Sequence, residues 1–256
     1  MTSEDSLQNV RKIDILDQKY VLQPWENYRG LSYGDLVARW HSWLMSDNPD
    51  NYNSDDMLFM RGNIGYHNKR NTFYFKTNVV IPQGTAILIP VVTTLINYGD
   101  YHEGKLINDE FSLRQAVHDH VNAAGPFWAT LEEIDGSNKF LKKIVPDLEL
   151  FRVESPIFQL NISYQNPFLN HMDEPVLPGT YTALGSGYFI LLHDLIPSKY
   201  RIRFGGKGMY DFYTDAMYEI TVSDIHKIKK DISGQNTSPS ELQDSKIAIK
   251  ANTLFK

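Results

Sequence analysis

Cysteine is absent from this chain of 256 residues. Its absence excludes disulfide bonds, zinc sites built on thiolates and cysteine nucleophiles. A chain without cysteine suits a reducing compartment, but many exported proteins also lack cysteine. The composition therefore leaves the compartment open.

Long apolar runs are lacking as well. No run approaches the roughly 20 residues that a membrane-spanning helix needs. The N-terminal stretch MTSEDSLQNVRKIDILD is polar and acidic, and it contains no apolar core of a signal peptide. We therefore predict a soluble protein with no membrane span, which is either cytoplasmic or part of a particle. Export would require that a leader has already been removed.

An excess of basic charge is the third absence. The 25 Lys and Arg residues stand against 31 Asp and Glu residues, which gives a formal net charge of −6. Nucleic acids are bound mainly through broad basic faces, and a mildly acidic chain is a poor source of such a face. We therefore predict no nucleic-acid partner.

Aromatic residues, in contrast, are abundant. The chain holds 13 Phe, 15 Tyr and 4 Trp, and 42% of it is hydrophobic, which is enough for the core of one large domain. We divide the chain into an extended N-terminal arm at 1–30, a domain at 31–222 and a polar tail at 223–256. The tail has six Lys and four acidic residues but few apolar ones. We expect such a tail to be mobile unless neighbouring subunits order it.

The segment 181–222 carries the strongest structural signal. Tyr200, Ile202 and Phe204 alternate with Arg201 and Arg203, and this period of two is typical of a strand with one face on the core.

Clusters of turn-forming residues interrupt the same segment at 185–187, 197–198 and 205–208. They indicate chain reversals, so we predict five short strands here. Meandering strands at this spacing are typical of sandwiches and jelly rolls. We predict an all-β fold with two inserted helices, in the form of an antiparallel, jelly-roll-like β-sandwich.

The two inserted helices are predicted from capping signals. The first runs over about 32–45, where Ser32 and Asp35 resemble a capping pair before an apolar stripe. The second runs over about 112–123, with a capping box that starts at Ser112. Both helices are expected to pack on the sheets.

A strand pair is predicted between the helices. Residues 73–81 form one strand, Pro82-Gln83-Gly84 forms a turn, and 86–92 returns as a second strand. The second strand is apolar on both faces, so an inserted helix should cover its outer face. Nine residues are expected in the core: Trp40, Trp43, Ile87, Ile89, Ile190, Leu192, Ile202, Phe204 and Ile220.

Histidines and acidic residues are the candidates for a metal site. His118 and His120 lie two positions apart on a predicted helix and therefore point about 200° apart, so they cannot bind one ion by themselves. The predicted loop Tyr101-His102-Glu103 is where the sequence offers one additional ligand. The acidic loop at 47–56 does not match the ligand spacing of an EF-hand. We predict no metal ligands and no cofactor.

No catalytic residue is assigned from the sequence. Ser186 lies in a Gly-Ser-Gly turn that does not match a nucleophile elbow, and 205–208 lacks the spacing of a phosphate-binding loop. The carboxylate pairs Glu132-Glu133 and Asp173-Glu174 are adjacent in sequence, whereas a glycosidase needs two carboxylates that face each other across a cleft.

Three blocks of sequence resemble a broad family of largely uncharacterised β-sandwich proteins of bacteria and archaea. The resemblance implies a fold but carries no functional residue. The blocks are Trp40-x-x-Trp43-Leu44 with Asn48-Pro49, then VIPQGTAILIPV at 80–91, then FRVESPIF at 151–158 with GYFILL at 187–192 and YRIRFGG at 200–206.

Three hypotheses about function remain open. The first is a non-enzymatic structural or assembly subunit, like those of capsids or surface layers, that forms a homo-oligomer or binds other protein subunits. The second is a module that binds carbohydrate or another ligand. The third is a hydrolase whose site is dispersed in sequence. We favour the first because no catalytic motif stands out.

Overall fold

The structure is a computed structural model, and it describes residues 14–15, 18–47, 49, 57–62, 73–134, 140–144, 147–167, 169, 177–209 and 213–224. The chain divides into two compact units, Met1–Val222 and Ser223–Lys256. The helices and strands described below belong to the first unit, apart from the final residue of the last strand. Within the described ranges, no helix is long and apolar enough to cross a membrane.

Strands dominate the described residues, and two α-helices accompany them. The helices are α1 (Tyr33–Leu44) and α2 (Glu110–Asn122). The strands are β1 (Asp14–Ile15), β2 (Met57–Phe59), β3 (Tyr74–Pro82), β4 (Ala86–Asn97), β5 (Tyr101–His102), β6 (Lys105–Leu106), β7 (Phe127–Ile134), β8 (Phe140–Ile144), β9 (Arg152–Glu154), β10 (Phe158–Ile162), β11 (Gly179–Leu192), β12 (Ser198–Lys207) and β13 (Tyr213–Ser223). The prediction of a mostly β fold with two helices is confirmed.

The strands form two large sheets and one small hairpin. The six-stranded sheet has the order β1-β8-β7-β12-β13-β3. The five-stranded sheet has the order β10-β11-β4-β2, with β9 also paired to β11, while β5 and β6 form the hairpin. The sheets are mixed, because β1 pairs in parallel with β8 and β2 pairs in parallel with β4. The prediction of a strictly antiparallel arrangement is therefore wrong at these two edges.

The turn after β3 carries the chain from one sheet to the other. The amide of Thr85 donates to the carbonyl of Pro82 at 3.2 Å, and Gly84 has a φ of 88°. The turn residues were predicted correctly, but β4 does not return beside β3. It pairs instead with β2 and β11 in the other sheet. The crossover through β3 is what allows β2 and β4 to run in parallel.

The segment from 179 to 223 forms three long strands rather than the five short ones predicted. The reversal at 197–198 is present, since β11 ends at Leu192 and β12 begins at Ser198. The glycines at 185–187 lie inside β11, where they serve close packing. A Cβ on Gly187 would come within 2.3 Å of the carbonyl oxygen of Val92 on β4.

The glycines of β12 are also inside a strand and not in a turn. Gly205 and Gly206 pair with β7 on one side and with β13 on the other. A Cβ on Gly205 would approach the carbonyl oxygen of Thr214 to 2.1 Å. Gly205 and Gly206 therefore lack side chains because neighbouring strands crowd them.

Capping residues close in sequence set the N-terminal starts of both helices. Ser32 and Asp35 form a complete capping box at the start of α1, as predicted. Helix α2 begins earlier than predicted, because the carboxylate of Asp109 caps it by accepting from the amide of Ser112 at 2.8 Å. Asp and Ser are both good N-cap residues, and the sequence alone did not separate them.

Residues of both large sheets share one apolar cluster with α1. Eight of the nine residues expected in the core are buried, and Trp43 is half-buried. The cluster includes Ile87 and Phe189 from the five-stranded sheet and Ile202 and Phe204 from the six-stranded sheet.

The two helices lie on opposite faces of β11. Leu184 belongs to a second apolar cluster with α2, whereas Gly185 faces His41 of α1. Neighbouring residues of a strand point to opposite faces, so the helices cover both sides of the strand. This cover, together with the packing of the six-stranded sheet on β11, accounts for the burial of residues 183–192.

Residues 20–22 of the N-terminal arm lie along the end of β11. The amide of Leu22 donates to the carbonyl of Leu191 at 3.0 Å. The hydroxyl of Tyr33 donates to the carbonyl of Leu22 at 2.7 Å and accepts from the amide of Leu191 at 2.9 Å. Val21 and Leu22 are buried, but Trp25 is 73% exposed. The arm is therefore anchored by its aliphatic residues and not by this tryptophan.

Candidate functional site

A cluster of histidine and aspartate side chains joins the β5–β6 hairpin to α2. His102 Nε2 lies 2.9 Å from Asp119 Oδ2. The ring of His120 lies 5.8 Å from the ring of His102, and its Nδ1 is 3.3 Å from the hydroxyl oxygen of Thr94 on β4. His118, the remaining histidine of α2, is exposed. The structure thus brings His102 to α2 but separates His118 from the other two.

The electrostatics of this cluster fit a structural contact. The hydrogen bond from His102 lowers the pKa of Asp119 below its ordinary value. Burial, together with the nearby His102, lowers the pKa of His120 and so favours its neutral form. Within the described ranges, no group of three or more His, Cys, Asp or Glu residues is arranged to hold a metal ion. The cluster ties the hairpin to the helix.

The adjacent carboxylates Glu132 and Glu133 do not face each other across a cleft. Glu132 and Glu133 are neighbours on β7 and so point to opposite faces of the sheet. Glu132 lies 3.5 Å from Arg201, within ion-pair distance. Asp173 and Glu174 lie outside the described residues, as does most of the acidic loop at 47–56. Asp47 of that loop is described, and it hydrogen-bonds to Ser163.

A row of charged side chains crosses three strands of the six-stranded sheet. Arg203 on β12 makes two bonds to Asp215 on β13, at 3.0 and 2.8 Å. Arg201 on the same strand bonds Glu219 at 2.7 Å. Arg201 and Arg203 alternate with the buried residues of β12, so this row marks the face of the sheet that points away from the core.

Two exposed aromatic rings lie beside this row. Phe73 and Phe75 are 46% and 49% exposed, and their rings stack with centroids 6.1 Å apart. The guanidinium of Arg203 lies 5.6 Å from the centroid of Phe73, a cation–π distance. Tyr74, between the two phenylalanines, points to the core and contacts Tyr218 at 5.5 Å.

These rings sit at the end of the sheet. Among the described strands, β3 is the last in the order of the six-stranded sheet, and no described strand pairs with its outer side. Val80 of the same strand is 62% exposed. We call β3 and the preceding Phe73 the β3 edge. Its exposed apolar side chains are Phe73, Phe75 and Val80. The sequence predicted the strand but gave no signal for its position at the edge, because that position depends on pairing with β13.

Comparison with known proteins adds no relative. No protein-family model matches the chain, and none of the curated proteins compared with it is significantly similar. The resemblance carried by the three sequence blocks stays a prediction, and the functional argument rests on the chain's own geometry.

Proposed function

We propose that this protein is a non-enzymatic β-sandwich subunit that assembles with further copies of itself through the β3 edge. The exposed aromatic pair Phe73 and Phe75 on an edge strand is the observation that carries the proposal.

A sandwich is supported by the way the two large sheets share a core. Ile202 and Phe204 of one sheet belong to the same apolar cluster as Phe189 of the other. The rings of Phe127 on β7 and Tyr188 on β11 are also close, with centroids 4.1 Å apart. Two sheets around a common core are the defining feature of a sandwich, and sandwiches with jelly-roll topology are common in capsid proteins.

The physics of edge strands favours association at β3. An edge strand presents N–H and C=O groups that a further strand can pair, and natural proteins usually protect long edges with charges, bulges or proline. On β3 the left-handed Asn78, with a φ of 60°, and Pro82 interrupt the C-terminal half. The N-terminal half contains one charged residue, Lys76, together with the exposed rings of Phe73 and Phe75. This half is the part of the edge that a partner strand would cover.

The local charge distribution permits a second copy of the chain to bind at this edge. The whole chain carries a net charge of −6, which disfavours unspecific contact between copies. Beside Phe73, however, Arg203 and Asp215 neutralise each other. Aromatic rows on paired strands attract one another, so the same apolar surface on two copies is self-complementary. One added strand pair buries less than about 1,200 Å², so we expect weak, concentration-dependent association.

Sedimentation velocity over a concentration series tests the proposal. The wild-type protein should shift from monomer to larger species as its concentration rises. Phe75→Lys should remain monomeric, because it places a charge in the middle of the edge. Leu106→Lys is a matched control, since Leu106 is 48% exposed and lies on the β5–β6 hairpin. A wild type that is monomeric at every concentration, or a Phe75→Lys variant that associates equally well, would contradict the proposal.

Binding of carbohydrate at the same surface is the second candidate function. Exposed aromatic rings next to fixed hydrogen-bonding groups, here Phe73 and Phe75 beside Arg203, are a suitable platform for a sugar ring. The surface lies on the open face of a sheet, which gives less enclosure than most ligand sites offer. Oligosaccharide titration by calorimetry separates the two functions, because a ligand site loses its heat of binding in Phe73→Ala while the protein remains monomeric.

The hydrolase hypothesis has the weakest support. Thr94 and His120 bring a hydroxyl group near an imidazole, but Asp119 bonds to His102. A nucleophilic triad needs the carboxylate to orient the histidine that contacts the hydroxyl. Because the carboxylate orients the other histidine, the cluster does not reproduce that arrangement.

A further inference from the structure

A histidine is completely buried between α1 and β11. His41 is 1% exposed, and its ring lies edge-on to Trp40 at 4.8 Å and to Phe189 at 6.2 Å. The ring also lies directly on Gly185 of β11, where a Cβ would come within 2.2 Å of His41 Cδ2. The helix and the strand thus approach each other around this ring.

The ring nitrogens of His41 have no hydrogen-bond partner among the described residues. A buried N–H group without a partner costs free energy relative to its state in water. An apolar side chain of similar size would fill the same space without that cost. Packing alone therefore does not explain why a histidine occupies this position.

Charged groups on the elements around His41 are engaged elsewhere. β10 has no acidic, basic or tyrosine residue. Asp35 belongs to the capping box, Glu154 bonds to Arg114 of α2, and Arg152 bonds to Asn122. Apart from His41 itself, the acidic, basic and tyrosine residues on α1, β9 and β11 are Tyr33, Asp35, Arg39, Arg152, Glu154, Tyr181 and Tyr188.

The tyrosines of this set do not supply a counter-charge. Tyr33 bonds to the backbone of residues 22 and 191, Tyr181 bonds to the carbonyl of Leu177, and Tyr188 bonds to Glu149. Burial raises the pKa of both Tyr33 and Tyr188, which keeps their hydroxyls neutral. Among the residues that the structure describes on α1, β9, β10 and β11, no carboxylate or phenolate therefore faces the ring of His41 in a way that would stabilise its protonated form.

We propose that His41 is an acid-sensitive latch, such that a proton bound by its ring releases α1 from β11 and uncovers the apolar face around Phe189. The described residues of the interface offer the imidazolium no anionic partner, and the backbone of Gly185 blocks movement of the ring across the strand. The charged ring reaches water only when the helix lifts. This latch is independent of the β3 edge, which belongs to the other sheet.

Proton linkage sets the size of the effect. Burial lowers the pKa of His41 from 6.5 to about 3 in the closed structure. In the open form the ring is in water and has its ordinary pKa. Between these two values, opening takes up one proton, so the opening equilibrium constant rises about tenfold for each pH unit of acidification. Above pH 6.5 neither form is protonated, and the effect disappears.

Amide hydrogen exchange at pH 7, 6, 5 and 4 tests the latch, with protection factors corrected for intrinsic exchange. The amides of α1 should lose protection about tenfold per unit below pH 6 and remain less protected than those of β12, because opening of α1 exposes less structure than global unfolding. His41→Leu should abolish this slope, because leucine stays neutral. His118→Leu, which alters an exposed histidine on α2, should retain the wild-type slope. Equal protection factors in α1 and β12 at every pH, or an unchanged slope in His41→Leu, would overturn the proposal.

A second measurement, on the imidazole ring of His41 itself, tests the latch if His41→Leu does not fold. In the wild type with labelled histidine, nuclear magnetic resonance at pH 5 should show the chemical shift of a neutral His41 ring in molecules whose α1 amides are protected. The charged signal should appear only with the species that has lost protection in α1. A charged His41 in molecules whose α1 amides stay protected would overturn the latch.

Discussion

The phenol of Tyr218 satisfies both backbone groups of Arg61. Its hydroxyl donates to the carbonyl of Arg61 at 2.9 Å and accepts from the amide of Arg61 at 2.9 Å. Tyr218 belongs to β13 of the six-stranded sheet, whereas Arg61 follows β2 of the five-stranded sheet. One side chain thus fastens the two sheets to each other.

Removal of this hydroxyl should destabilise the fold. Tyr218→Phe leaves the amide and the carbonyl of Arg61 without this partner, and we expect a loss of about 1–3 kcal/mol in the free energy of unfolding. Tyr213→Phe is the control, because Tyr213 is half-buried on the same strand and packs against Trp128. Urea denaturation measures both variants. Equal stability of the two would show that the link between Tyr218 and Arg61 contributes nothing.

Gly185→Ala should be destabilising because of His41 and not because of backbone strain. The new methyl group would lie 2.2 Å from Cδ2 and 2.5 Å from Nε2 of the ring. We expect a cost of about 1–3 kcal/mol, which is typical of overpacking. The cost should shrink when the same change is made in a His41→Ala background, and a double-mutant cycle measures that difference. The same cost in both backgrounds would contradict this contact.

Alkaline pH should weaken the attachment of the N-terminal arm. Burial raises the pKa of Tyr33 above its ordinary value of 10.0, so the folded state disfavours the phenolate. The contribution of Tyr33 to the free energy of unfolding is complete below pH 10. Above pH 10 the tyrosine ionises in the unfolded chain, and this contribution falls by about 1.4 kcal/mol per pH unit. Urea denaturation at pH 9 and 11 should show a smaller loss in Tyr33→Phe than in the wild type. Burial also raises the pKa of Tyr200, so the difference between the two proteins is the quantity that counts. An equal loss in both would assign the alkaline effect to other groups.

Chelation should leave thermal stability unchanged. A metal that binds only the native state raises the melting temperature, and its removal lowers it. We expect no shift on addition of EDTA, since His102 and Asp119 bond to each other. A drop of several degrees would instead identify a bound metal, and the same scan on His120→Ala would show whether the α2 cluster holds it.

Local patterns predicted the elements better than their partners. The capping box of Ser32 and Asp35 and the alternation around Ile202 involve residues close in sequence, and both predictions match the structure. The glycines at 185–187 were misread as a turn, because glycine serves reversals and close contacts alike. The role of Gly185 in β11 depends on His41, which lies more than 140 residues earlier in the chain.

The candidate sites were harder to predict from the sequence than the fold. The prediction that β4 returns beside β3 failed because a proline-glycine turn fits a hairpin and a crossover between sheets equally well. The bond between His102 and Asp119 and the exposure of Phe73 and Phe75 also follow from tertiary pairing. No local pattern encodes which strand lies at the edge of a sheet.

Amide hydrogen exchange of β3 as a function of protein concentration is the most direct test of assembly through the β3 edge. If a second copy pairs with this edge, alternate amides in the N-terminal half of β3 should gain protection as the concentration rises. Phe75→Lys should show no such gain, and the amides of β12, which pair with β7 and β13 within one chain, should not change. Protection of β3 that is independent of concentration in a wild type that nonetheless associates would contradict the account.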